Sequence, residues 1–287
     1  MTLDGGWDGL ESHRAELSTG VTLHYVSQGS GPLVVLLHGF PEHWYGWRHQ
    51  IPALVKAGFR VVAPDMRGYD LSDKPPNVED YRLEILGDDV AGLIDALGES
   101  GAIVVGHDWG GVAAWMFAMR HPNKLRRLVV LNMPHPAVFA KAWSTVRQRI
   151  KSIYFYFFRL RRFAAFVYRR FNAFGQRFML WWFARRKPTW KDLRPYARAG
   201  LQPDAMRSMM TYYTALLRRK PGDIELTVIE APVHIIWGMD DPAFSPELAD
   251  PGEHAPHASI DRHEGLGHFL HLEDPDRVTK ALLAALR

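Results

Sequence analysis

Short apolar runs alternate along this chain with longer stretches in which apolar residues recur at helical spacing. "PLVVLLHGF" is a fully apolar strand ending in His38 and Gly39, and "FRVVAPDMRGY", "GAIVVGHD" and "LRRLVVLNMP" predict three more. Ahead of them "ELST" and "VTLHYVSQG" form a hairpin pattern; near the end "APVHIIWG" and "ASIDRHE" resume the series. Between strands, "RLEILGDDVAGLIDALG" predicts a helix stopped by Gly98, and "WGGVAAWMFAMRHP" one ended by Pro122. A last helix follows Asp274 as N-cap, with Pro275 at its first position. Apolar strands alternating with helices predict an α/β fold, a mostly parallel eight-stranded sheet covered by helices on both faces.

The pattern changes between His135 and Lys220. There 20 Lys/Arg meet two acids, Asp192 and Asp204, a net +18 within a chain whose total is +4. The remainder carries 15 Lys/Arg against 29 acids. A shift of that size marks a module inserted into a larger one. The segment predicts helices rich in Phe, Tyr and Trp. Laid on one continuous helix, Arg159, Arg162, Arg169, Arg170 and Arg177 share one side; Leu160, Ala164, Val167, Phe171, Phe178 and Trp182 share the other. Gly175 is the candidate interruption.

Composition narrows the classes. A 47% hydrophobic content in 287 residues supports a sizeable core. The absence of cysteine removes disulfides, a thiol nucleophile and cysteine-ligated zinc. The start "MTLDGGWDGLESHR" is polar and acidic, unlike a secretory leader, and no apolar run approaches the ~18 residues of a membrane span. The most lipophilic stretch, "IYFYFF", stops at Arg159. The expectation is a soluble, cytoplasmic protein. His254 and His257 sit in a Pro-rich loop without partners, so no metal is assigned, and no cofactor is expected.

Candidate chemistry centres on "IVVGHDWGGVAAW". A strand running into Gly-x-nucleophile-x-Gly and then a helix is a nucleophile elbow, in which small flanking residues permit a strained turn. Gly106 and Gly110 give that spacing around Asp108. Taken alone, the pentapeptide fits equally a helix capped by Asp108, since Asp is a favoured N-cap. Three other segments bear on the choice. "LLHGFP" ends a strand in a turn whose Phe40 amide, paired with that of Trp109, would make an oxyanion hole. "IIWGMDDPAF" is a strand end with two acids, and "EGLGHFLH" holds a glycine-flanked histidine, His268, before the final helix. Nucleophile, acid, histidine is the triad order of the α/β-hydrolase fold.

"HGFPEHWYGWRHQIP", "DMRGYDLSDKP", "GHDWGG" and "GHFLHLEDP" together resemble the epoxide hydrolase and haloalkane dehalogenase branch of the α/β-hydrolases, and epoxide hydrolases most. The resemblance implies a core over residues 1–133 and 223–287 with an inserted helical cap over 134–222. It implies Asp108 as nucleophile, His268 as base and Asp241 as the acid, with Asp240 its neighbour. His38, Pro41 and Trp109 are assigned to substrate binding. A carboxylate suits attack on a saturated carbon, leaving an alkyl ester that His268 hydrolyses with water; on an ordinary ester it would give an anhydride. Epoxide hydrolases add two cap tyrosines that protonate the opening ring. "SIYFYFF" points to Tyr154, with Tyr156 adjacent, and "MMTYYTALL" to Tyr213, with Tyr212 adjacent. The expected function is conversion of a lipophilic epoxide to a vicinal diol.

Haloalkane dehalogenation is the alternative reading. Those enzymes commonly carry Asn after the "HG" turn, where Phe40 stands, although the Trp109 indole remains a donor. Fluoroacetate-type dehalogenases have Arg where Trp109 stands. A non-catalytic ligand-binding relative is the remaining alternative. In the cap, "RLRRFAAFVYRRF" replaces the family's Gln and Pro-rich loop. The expectation for its basic face is that the apolar side covers the active site while the charges face water. Docking on anionic membrane and attraction of anionic substrates are the competing readings. Nucleic-acid binding is not expected, and the oligomeric state is not legible. Asp70 replaces a common turn glycine and is given no function, since Asp tolerates left-handed geometry.

Overall fold

Strand propensity and double-sided burial build one sheet. In chain order its strands are β1 (Glu11–Glu16), β2 (Thr22–Gln28), β3 (Leu33–Leu37), β4 (Arg60–Pro64), β5 (Ala102–His107), β6 (Leu125–Leu131), β7 (Val233–Gly238) and β8 (Ser259–His263). Their spatial order is β1-β2-β4-β3-β5-β6-β7-β8, antiparallel at β1/β2 and β2/β4 and parallel elsewhere. The computed structural model describes residues 9–220 and 222–287, apart from the side chains of 171 and 172. Most of the polar start that bears on a leader, and the side chain of Phe171, therefore lie outside the described residues.

The helices are α1 (Gln50–Lys56), α2 (Leu83–Ala96), α3 (Trp109–Arg120), α4 (Pro136–Trp143), α5 (Val146–Lys151), α6 (Tyr154–Arg159), α7 (Arg161–Phe183), α8 (Arg194–Gly200), α9 (Ala205–Arg218), α10 (Leu270–Glu273) and α11 (Pro275–Ala285). Strand alternation sorts the core into two layers. Val35, Leu37, Val104, Leu128 and Val130 face α2 and α3. Val34, Leu36, Val105, Val129 and Leu131 face Ile51 and Leu54 of α1 and Val278 and Leu282 of α11. Asp274 caps α11 as expected, accepting the Arg277 amide at 3.2 Å. Asp70 adopts φ +30°.

Two expectations are corrected. The first strand lies earlier than "ELST", because Leu17–Val21 closes as a turn with hydrogen bonds of 2.9 and 3.0 Å. The basic segment forms several helices as expected, but the stretch 159–182 laid on one continuous helix is not one. It breaks at Leu160 (φ −81°, ψ 47°), where Phe158 and Tyr168 pack ring to ring at 5.5 Å and fold α7 back on α6. A second bend falls at Ala173 (φ +54°), ahead of Gly175. There a Cβ on Gly175 would lie 3.0 Å from the Tyr168 Cα, so glycine permits the close approach.

Arg159, Arg162, Arg169 and Arg170 face water as expected and Ala164 is buried, but most of the apolar side is not covered. Leu160, Val167, Phe178 and Trp182 are exposed. Among the described residues, α4, α6 and α9 instead supply the cap side chains over the cavity described below.

Candidate active site

Between β5 and α3 the chain turns on one residue. Asp108 adopts φ +49°, ψ −120°, a conformation that L-residues rarely take without support. A Cβ on Gly106 would come within 2.3 Å of the Gly110 carbonyl oxygen, and one on Gly110 within 2.2 Å of that of Leu37. Glycine at both places lets strand and helix meet closely enough to raise Asp108 above the sheet. Asp108 occupies the N-cap position of α3 but makes no capping bond. Its Oδ1 instead accepts the Phe40 N–H at 2.7 Å, and its Oδ2 faces His268 Nε2 at 3.6 Å. The Trp109 amide is the first of α3, among those that a helix leaves without internal partners.

His268 Nδ1 meets Asp241 Oδ2 at 2.8 Å, while Asp241 Oδ1 accepts the amides of Ala243 and Phe244 at 2.6 and 3.2 Å. Asp240 points away, half-exposed and 3.6 Å from Arg185. Asn132, at the end of β6, ties the supporting loops together. Its Nδ2 donates to the Gly267 carbonyl at 2.8 Å, and its Oδ1 accepts the Gly238 amide at 2.7 Å.

Burial disfavours a charge on His268, but Asp241 and then Asp108 outweigh it and push its pKa up from 6.5 to about 10. The folded state thus holds a proton that the unfolded chain releases above pH 6.5. The resulting stabilisation is complete below 6.5 and lost as pH rises through about 10. Denaturant titrations of the parent and His268→Gln should show the parent's advantage shrinking across that window. A difference that stays flat would refute the coupling.

A cavity of about 410 Å³ opens over Asp108. Tyr154 of α6 and Tyr213 of α9 line it, their ring centroids 6.0 Å apart. Burial pushes both phenols well above their usual 10, and the nearby Asp108 charge adds to the effect. The adjacent tyrosines are placed otherwise. Tyr156 is 52% exposed, and the Tyr212 hydroxyl donates to the Arg67 carbonyl at 2.7 Å.

Of the three residues assigned to substrate binding, Trp109 lines the cavity and the other two do not. His38 is buried and its ring nitrogens serve the backbone, with Nε2 accepting the Met66 amide and Nδ1 meeting the Gly39 carbonyl, each at 3.0 Å. Pro41 shapes the turn, and its carbonyl accepts Gln176 Nε2 at 2.9 Å, joining core to cap.

Sequence reasoning missed most of the apolar lining, including Phe139, Trp143, Phe155, Leu216 and Phe244. Helical spacing marks these residues as apolar without saying which cavity they face. It also missed Glu42, whose signal was available: an acid inside "HGFPEHWYGW", amid aromatics, Pro and His. Glu42 is fully buried between His107 (2.9 Å) and His271 (3.1 Å), and His107 reaches on to the His268 carbonyl at 2.8 Å. Burial would raise the Glu42 pKa, yet the two histidines hold it well below the usual carboxylate range. Burial lowers His271 to about 4, so it is neutral at pH 7 and donates to the carboxylate. The network braces both the Phe40 turn and the His268 loop. Glu42, His107 and His271 also form one of two groups of metal-competent donors among the described residues. Their own hydrogen bonds account for the grouping. His254 stacks on His135 at 4.6 Å.

Residues 32–275 match the model of the alpha/beta hydrolase fold family. The chain is 39% identical over 277 residues to the AB hydrolase superfamily protein YfhM of Bacillus subtilis (strain 168), covering 94% of this chain and 96% of that protein. It is 36% identical over 241 residues to Epoxide hydrolase 4 of Mus musculus, covering 81% of this chain but 66% of that protein. A solved mutant of an epoxide hydrolase from Bacillus megaterium, complexed with its product (R)-3-[1]naphthyloxy-propane-1,2-diol, superposes with a TM-score of 0.86. Its identity to this chain is 32%, with 96% of this chain and 99% of that one covered.

Proposed function

Because the chain belongs to the α/β-hydrolase family, in its epoxide hydrolase branch, we propose that it hydrolyses an epoxide to a vicinal diol through an alkyl ester on Asp108. The carrying observation is a carboxylate at the elbow, one oxygen on the Phe40 amide and the other facing His268, beneath two phenols that line the same cavity. Asp108 Oδ2 attacks a ring carbon, the C–O bond opens, and Tyr154 or Tyr213 supplies the proton to the leaving oxygen. Phenols held well above pKa 10 stay protonated at neutral pH and are available as donors.

Esterification then removes the Asp108 charge, one of the two that hold the proton on His268. The imidazolium then gives up its proton more easily, returning it to the phenolate that ring opening left, and is free to act as a base. It takes a proton from water as the water attacks the Asp108 carbonyl carbon. The oxyanion forms on Oδ1, where Phe40 already donates; one such donor is worth about 3 kcal/mol of barrier. Collapse breaks the ester bond; His268 gives its proton to the departing alkoxide, releasing the diol, and the Asp108 carboxyl returns a proton to the imidazole. The apolar cavity wall suits a lipophilic substrate.

A single turnover in heavy-oxygen water tests the proposal. The label should appear in the peptide holding Asp108, with none in the first diol. Label in the diol and none in the protein would mean direct attack by water.

A further inference from the structure

The cap carries a surface that this chemistry does not use. Between Leu160 and Ala173, α7 buries Ala164 and Ala165 but turns Phe163 and Phe166 outward, 58% and 61% exposed. Leu160, at 61%, and Ile153, at 68%, extend the apolar exposure into the preceding chain. Single exposed apolar residues are ordinary, whereas several large ones set in a charged rim mark a contact surface. Phe166 lines one open concavity of about 380 Å³ with Arg162, Arg169, Arg170 and Arg207. The Arg170 guanidinium lies 5.9 Å from the centre of the Phe166 ring. Asp204, at the edge, is already ion-paired with Arg207 at 3.1 Å.

We propose that this face docks on an anionic phospholipid bilayer, its aromatic and aliphatic side chains entering the acyl boundary while the arginines meet headgroup phosphates. Alternating aromatic and guanidinium groups suit the interface, where each finds its preferred depth, and guanidinium matches phosphate oxygens in a planar fork. The charge selects the occupant. A second copy would bring one +18 cap against another. Nucleic acid would satisfy the arginines and stack on phenylalanines, but Ile153 and Leu160 stack on no base. No helix among the described residues is long and apolar enough to cross a membrane, so the contact is peripheral.

Flotation of the full chain with vesicles of phosphatidylcholine, with and without phosphatidylglycerol, tests this. The protein should float with the mixed vesicles, remain behind with phosphatidylcholine alone, and be released by about 1 M salt. Phe163→Ser/Phe166→Ser and Arg162→Glu/Arg169→Glu should each lower partitioning about tenfold with unchanged circular dichroism. Should a variant misfold, the lipid and salt dependence of the parent still decides. Four results would overturn the inference: recovery in solution with mixed vesicles, equal flotation with both lipids, self-association without lipid binding, or retention by single-stranded RNA where vesicles fail.

Discussion

His268→Gln should halt the cycle after its first half. Glutamine keeps a polar group near Asp241 but cannot take a proton from water, so ester hydrolysis should fall by a factor of about 10³ to 10⁴. Alkylation does not use that base and should proceed. Mixing the variant with excess epoxide should therefore consume one equivalent and raise the mass of the Asp108 peptide by that of the epoxide. Sustained turnover near the parent rate would remove His268 from the chemistry. Asp241→Asn should resemble it, because an amide neither fixes the same tautomer nor supplies the charge that, with Asp108, raises His268.

The second large effect belongs to the cap. Tyr154→Phe/Tyr213→Phe leaves the cavity shape nearly intact and removes both proposed acids. Without a proton the opening ring must depart as a strongly basic alkoxide, so alkylation by an epoxide should slow about 10² to 10⁴-fold. Hydrolysis of a preformed ester should hardly change. An alkyl halide is the control, since halide leaves without a proton; its alkylation rate should match the parent's. Equal losses on both substrates would point to a packing role for the tyrosines, and rapid halide release by the parent would favour the dehalogenase reading.

How far the sequence could carry this depends on where each signal resides. The parallel strands are legible because residues such as Val34, Val35, Leu36 and Leu37 are buried on both faces, leaving a continuous apolar run. Asp108, Asp241 and His268 are legible because each follows a strand whose end is marked by glycine or by a turn. The choice of Tyr154 over Tyr156 rested on resemblance, since neighbouring aromatics on a helix carry no label for inside and outside. The break at Leu160 was not legible, whereas the bend at Ala173 falls two residues from Gly175, the interruption the sequence offered. Ring packing between α6 and α7 fixes the first, and that is a tertiary fact beyond the reach of local periodicity. Glu42 was overlooked for the reverse reason: its partners His107 and His271 lie 65 and 229 residues away in sequence.

In the proposed mechanism, the grip of Phe40 on a single carboxylate oxygen gives the cycle a memory. The product departs with the oxygen that attacked, and solvent refills the vacancy; with Oδ1 clamped, the side chain cannot spin to scramble the two sites. Each diol then carries an atom drawn from the water of the preceding cycle. After a switch of solvent isotope, the enzyme's output lags its surroundings by one event.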